Sequence, residues 1–260
     1  MHPAMKYNLV PTQQRLDSLY GRYNRPQFIH PDPVEFLHLY EDLRDREIAA
    51  FVAASLAYGR VYQILKSVSV VLSAMVPGPL VFLRDNSEKT IMRTFSGFKH
   101  RFTDGRKLAS MLVGLKRLVA RYGSLEACFY DGMNDNEEHL LGPVSAFVAN
   151  LRHCAESSLD HLVPSPGKGS ACKRLNLFLR WMVRCDDVDP GGWEGIPPSM
   201  LLVPLDVHMH RVARSMHMTR RKQANMKTVL EITEGFLVIA PSDPVKYDFC
   251  LTRLGIRGDE

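Results

Sequence analysis

Residues 45–59, DREIAAFVAASLAYG, constrain the chain more than any other stretch. After the charged opening, small and apolar residues face every side of the helix they would form, so no face is left for water. Such a helix is expected to be buried, with its alanines at close contacts and an end at Gly59.

The rest of the chain carries helical spacing and almost no strand pattern. Thr12 is expected to cap a first helix with Leu16, Leu19, Tyr20 and Tyr23 on one face. DPVEFLHLY reads as a second, short helix, and RVYQILKSVSVVLSAM repeats apolar residues at helical intervals. Thr103 is expected to cap a long helix whose stripe is Leu108, Met111, Leu112, Leu115, Leu118 and Val119. SLEACFYDG and EEHLLGPVSAFVANLRHCAESS follow. In CKRLNLFLRWMVR, Leu175, Phe178, Leu179 and Met182 are expected inward and the arginines outward. VPSPGKGS is a loop, and CDDVDPGGWEGIPPSMLLVPL is irregular. Three more helices are predicted at 207–217, 224–238 and 244–254. No linker is long enough to divide the chain, so the expected fold is all-α, compact and one domain over residues 1–260.

Composition narrows the class. At 45% hydrophobic and 23% charged, the chain is an ordinary globular protein. The start, MHPAMKYNLV, lacks the layout of a signal peptide, and no apolar run is long enough to span a membrane. The five cysteines are scattered without C-x-x-C spacing, which suggests neither zinc nor an iron–sulfur cluster, and no other cofactor is implied. A reducing cytoplasm fits them. Charge is concentrated: from Pro164 to Lys227 eleven basic residues stand against five acidic, a net +6 that exceeds the whole chain's +5. A region of that kind suggests an anionic partner, with nucleic acid the first candidate, although a merely solvated surface accounts for charge alone equally well.

Within that region VPLDVHMHRVAR stands out, residues 203–214. Asp206 precedes a helix that opens with His208 and Arg211. An aspartate there has a structural use, because it accepts hydrogen bonds from the first turn's free N–H groups, worth about 1 kcal/mol. The same helix start also suits a phosphate. Lys173 lies 33 residues upstream, on a helix opened by GKGSA.

VPLDVHMHRVA resembles the segment that carries the essential aspartate in the helix-hairpin-helix DNA glycosylase superfamily, in wording nearest the eukaryotic 8-oxoguanine DNA glycosylases. The interval back to Lys173 resembles the archaeal 8-oxoguanine branch, where the catalytic lysine lies on an earlier helix and the hairpin is atypical. CKRLNLFLRWMVR, PLDVHMHRVAR and DPVKYDFCLTRLGI also resemble a bacterial family described only as a domain of unknown function, over nearly the full length. The functional resemblance rests mainly on residues 170–215. One departure is plain: the L-P-G-V-G hairpin is missing and GWEGIPPSMLL stands in its place, so the backbone N–H groups that would hold a phosphate must come from elsewhere, EGIPPS or PGKGSA being the candidates.

The resemblance implies a compact two-lobed helical fold and a glycosylase with lyase activity on an oxidised purine, 8-oxoguanine foremost. It makes Lys173 the nucleophile and Asp206 the carboxylate that stabilises oxocarbenium character. An ordinary lysine titrates near about 10.4, so the amine must be made available by its surroundings. The implied partner is double-stranded DNA holding a damaged base, bound by a monomer in the cytoplasm at the nucleoid. His208, Arg211, Lys168 and Ser170 are candidate DNA contacts, joined by Tyr58, Arg60 and Gln63 from LAYGRVYQ, where Tyr58 either stacks on the orphaned base or packs against its own fold. Asp248 in DPVKYDFCLTRLG and Phe178 are candidates for the pocket of the flipped base. His100, Arg101 and Phe102 sit before the long helix and suit either nucleic acid or a helix start. The alternative class is a non-catalytic DNA- or RNA-binding protein that kept the fold; a purely structural protein leaves the +6 region unexplained.

Overall fold

A computed structural model of the chain describes residues 9–134 and 137–257. Helix α1 (Leu9–Tyr23) leads to 3-10 turns at Pro26–Phe28 and Pro33–Leu39. Next come α2 (Leu43–Leu56), α3 (Val61–Ser73), α4 (Pro79–Asp85) and α5 (Glu88–Thr94). A minimal antiparallel hairpin, β1 (Lys99–His100) with β2 (Thr103–Asp104), precedes the long α6 (Gly105–Tyr122). The order continues with α7 (Leu125–Tyr130), α8 (Leu141–Cys154), α9 (Lys173–Val183), α10 (Val207–Ser215), α11 (Met226–Ile239) and α12 (Asp248–Arg257). The fold is mostly helical. Among the described residues no helix is long and apolar enough to cross a membrane.

Helix α2 is the central one. Every residue from Glu47 to Leu56 is buried, and α2 packs against α9, α3, α4 and α7. Its start is capped by Asp42, which accepts from the N–H groups of Arg44 and Asp45. Its buried acid, Glu47, is satisfied by the Leu125 and Glu126 N–H groups, the Trp193 indole and Arg44. Burial pushes its carboxyl up, against those hydrogen bonds. Beside α2, Phe51, Phe147 and Phe178 meet Phe129 and Trp193 in an aromatic cluster; the Phe51 and Phe178 ring centres are 5.2 Å apart, as are those of Phe178 and Trp193. One buried apolar cluster runs from Leu16 to Leu251.

Several local expectations change. Thr12 lies inside α1, which begins at Leu9. The cap of α6 is Asp104, whose side chain accepts from Lys107 N–H. Thr103 is the first residue of β2, opposite His100, and Arg101 turns the hairpin with φ of 50°. Residues 98–104 therefore form a small ribbon rather than a helix start. DPVEFLHLY closes into a 3-10 turn capped by Asp32. On α9 the four expected apolar residues are inward, but Arg180 and Arg184 are buried too, at 3% and 5% exposure. The irregular stretch after α9 folds back onto that helix, with Gly191 N–H on the Trp181 carbonyl and Trp193 N–H on the Met182 carbonyl. Gly191 takes φ of 62° there, and a β-carbon would strike the Arg184 backbone, so the reversal requires glycine.

Candidate active site

Lys173 is the first residue of α9, and Asp206 is the residue that caps α10. Their side chains meet, Lys173 Nζ lying 3.2 Å from Asp206 Oδ2, and each remains about one-third exposed. Neither position is arbitrary. Asp206 Oδ1 accepts from Met209 N–H at 2.8 Å, so one oxygen holds the helix start and the other faces the lysine. A lysine in the first turn of a helix works against the helix dipole, so α9 gains nothing from it locally. The preceding residue, Cys172, is buried and left-handed at φ of 47°. A non-glycine residue in that region is uncommon and costly, and here it turns the chain so that α9 starts at the cleft.

That open cleft has a volume of about 290 Å3, just under the roughly 300–1,000 Å3 usual for small-molecule sites. It has room for a single heterocycle. Lys173, Leu177 and Arg180 line it from one face of α9, at the i, i+4, i+7 spacing of a helix. Ala57, Gly59 and Val61 line it from the α2–α3 connection, Asp206 and His208 from α10, and Asp248 and Phe249 from α12.

Below the mouth lies a buried ionic network. Arg180 Nη1 donates to Asp248 Oδ2 at 2.5 Å, while its Nε and Nη2 donate to Asp189 at 3.0 and 2.7 Å. Arg184 also reaches Asp189, and is held by Asp186 and Asp243 at 2.8 Å each. Burial pushes the Asp248 carboxyl up to about 6; the Asp206 charge adds to that, and Arg180 and Lys173 oppose it. Asp206 goes the other way. Burial alone would raise it, but Lys173, the Met209 N–H and His208 together hold its carboxyl below the usual 3.8. Two carboxylates on one cleft are thus driven apart by their surroundings, a pattern associated with divided acid–base duties.

The other candidates divide. His208 lines the cleft, but its Nε2 donates to the Leu251 carbonyl at 2.9 Å, tying α10 to α12 rather than facing outward as a phosphate ligand. Arg211 is exposed on α10. Arg60 and Gln63 are exposed at the start of α3, beside the cleft residues Val61 and Ile64. Lys168 lies away from the lysine–aspartate pair, bound to Asp160 at 3.0 Å. Ser170 accepts from Cys172 N–H at 3.2 Å and bridges to Asn225, so it braces the loop before α9. In PGKGSA the Lys168 and Gly169 N–H groups donate to Ser165 and Pro166, which leaves them unavailable to a phosphate.

Tyr58 packs against its own fold. Its hydroxyl is 2.7 Å from Thr103 Oγ1 and 2.9 Å from the His100 carbonyl, His100 and His161 meet its ring edge-on, and the Arg174 guanidinium lies 4.9 Å from its centre. Phe178 is 1% exposed inside the aromatic cluster and does not line the cleft. Its assignment to a base pocket is corrected: position 178 falls on the α2 side of α9, one residue beyond the face that lines the cleft. Arg180, expected outward, is instead a buried cleft residue. Its i+7 spacing from Lys173 was the available signal, obscured by the rule that arginines face water.

Among the described residues no group of three or more His, Cys, Asp or Glu side chains is placed to hold a metal ion. No curated protein and no solved structure matches the chain. A family described as "Protein of unknown function (DUF2400)" matches residues 32–257, a span that includes the lysine, both carboxylates and every helix from α2 to α12. The chain belongs to that family.

Proposed function

We propose that the protein is a DNA glycosylase with lyase activity on an oxidised purine, 8-oxoguanine foremost, on a two-lobed fold of the helix-hairpin-helix glycosylase kind. The observation that carries this reading is the contact of Lys173 Nζ with Asp206 Oδ2 at 3.2 Å on a cleft sized for one heterocycle. A nucleotide extruded from the duplex enters that cleft, at an unstacking cost of a few kcal/mol. Lys173 first gives its ammonium proton to solvent; the free amine then bonds to the sugar's C1′ as the C1′–N bond breaks, and that bond's electron pair leaves with the base. The aminal opens to an iminium, and loss of a C2′ proton then expels the 3′ phosphate. Asp206, held as an anion, stabilises positive charge that appears on the sugar only in the transition state.

The cleft floor suits a purine edge. Arg180 offers N–H donors and Asp248 a carboxyl, both buried, where an unmatched partner is penalised most. Outside the cleft Arg211, Arg214, Arg220, Lys222 and Lys227 are exposed, and supply the charge that a phosphate backbone requires.

Borohydride trapping tests the reading. Wild-type protein is expected to form an adduct on an 8-oxoguanine duplex, and Lys173→Ala to bind that duplex without forming one. If the wild type neither excises nor traps on oxidised-guanine, oxidised-pyrimidine or alkylated-base duplexes, the reading is wrong, and a non-catalytic nucleic-acid binder takes its place.

A further inference from the structure

We infer that Asp248 is the acid that delivers a proton to the departing base. This rests on the glycosylase reading above and adds a second catalytic group to it.

Two guanidinium groups, Arg180 and Arg184, serve four carboxyls: Asp186, Asp189, Asp243 and Asp248. Were all four ionised, the network would carry two uncompensated negative charges in surroundings that resist even one. A proton therefore belongs in the network, and the hydrogen bonds indicate where. Asp189 takes both Arg180 and Arg184. Asp186 takes Arg184, the Tyr20 hydroxyl and the Val188 and Asp189 N–H groups. Asp243 takes Arg184 and the Val245 N–H, and is 19% exposed. Asp248 meets Arg180 through a single nitrogen, is 6% exposed, and shares its cleft with the Asp206 anion. Of the four carboxyls, it alone lines the cleft. The carboxyl that takes a proton most readily is therefore the one that lines the cleft.

The charged and titratable groups around it support that placement. From α9 come Arg180 and Lys173, from α10 Asp206 and His208, and from the turn after residue 31 Asp32, itself held by Arg253. On its own helix is Cys250, whose thiol is pushed up to about 12 by burial and by Asp248, and so stays neutral. Burial first, and Asp206 second, lift Asp248 to about 6, which leaves a protonated fraction near neutrality.

In the step itself the C1′–N pair goes to the base nitrogen and the Asp248 proton goes to the base, so the base leaves neutral rather than as an anion. Asp248 becomes a carboxylate with Arg180 Nη1 already 2.5 Å away. The new C1′–N bond to Lys173 releases a proton that the Asp206 carboxylate, 3.2 Å distant, accepts. General acids placed in this way contribute about 10²–10⁴-fold in rate.

Single-turnover excision against pH, with full-length protein and an 8-oxoguanine duplex, tests the inference. The wild-type rate is expected to fall about tenfold per pH unit on the alkaline side of the Asp248 titration. Asp248→Asn is expected to be slower by about 10²-fold or more at neutrality, with that limb absent whatever its affinity for a non-cleavable 2′-fluoro duplex. A residue that only reads the base edge would instead lose binding and keep the limb. Arg180→Lys guards against misfolding in the asparagine variant and is expected to keep the limb at a displaced pH. Excision by Asp248→Asn at the wild-type rate, a retained limb in that variant, or a limb that Arg180→Lys leaves in place overturns the inference and leaves the glycosylase reading standing. A wild type that excises nothing overturns both.

Discussion

Lys173 and Asp206, separated by 33 positions in the chain, close to 3.2 Å because each stands at the start of a helix and both helices open onto the same cleft. The aspartate spends its two oxygens differently. Oδ1 caps α10 through Met209 N–H, and Oδ2 faces the lysine.

That division separates structure from chemistry at Asp206. Asn caps a helix nearly as well as Asp, whereas Ala forfeits about 1 kcal/mol. Asp206→Asn should therefore melt within a degree or two of wild type, and Asp206→Ala several degrees lower. Both should excise poorly, because neither carries the anion that the transition state needs. Thermal melts paired with single-turnover rates check this. Normal excision by the asparagine variant would reduce Asp206 to a cap.

The pH dependence of stability has opposite signs at the two carboxyls. Asp206 titrates below 3.8 in the folded protein, so its stabilising contribution is present above 3.8 and lost as pH falls through its folded value. The stability gap between wild type and Asp206→Asn should be constant at neutrality and close only in acid. Asp248 is raised to about 6, so stability associated with its proton is present below 3.8 and lost as pH rises through 6. Relative to wild type, Asp248→Asn should gain stability across that interval. Urea melts at pH 3, 4, 5 and 7 give both signs.

Two residues of α10 should separate a fold contact from a backbone contact. His208 donates to the Leu251 carbonyl, so His208→Ala should cost about 1 kcal/mol and leave the salt dependence of DNA binding unchanged. Arg211 is exposed, so Arg211→Ala should leave stability alone and lower the slope of log affinity against log salt by about 0.9. Binding isotherms at several salt concentrations decide between them, and an unchanged slope in the arginine variant would remove Arg211 from the interface.

Phe178 belongs to the core. Phe178→Ala should cost about 3–5 kcal/mol by opening a cavity among Phe51, Phe147 and Trp193. Phe178→Leu, which keeps most of the volume, should restore much of that stability. Because the ring does not line the cleft, neither substitution should alter which damaged base is bound. A change in base preference without a loss of stability would return Phe178 to the pocket.

Much of this was legible in the sequence, because it depends on neighbours along the chain. The apolar run of α2 demanded a buried helix, helical spacing placed α6 and α9, and the Asp206 cap follows from an acid standing just before a helix. Where local chemistry offered two equivalent devices, the reading slipped by one residue: Thr103 and Asp104 both suit a cap, and the hairpin claimed the threonine. Tertiary structure alone decided the direction of Arg180 and Arg184. Periodicity identifies the apolar face of α9, but a polar residue on its flank turns inward only when partners wait there. Those partners, Asp189, Asp243 and Asp248, lie 9, 59 and 68 positions from the arginines they bind. Burying a guanidinium is favourable only when carboxylates from distant segments arrive together, and no local pattern records that meeting. The same holds for Asp248, which reads as an ordinary acid at a helix start until α9, α10 and α12 enclose it at one cleft.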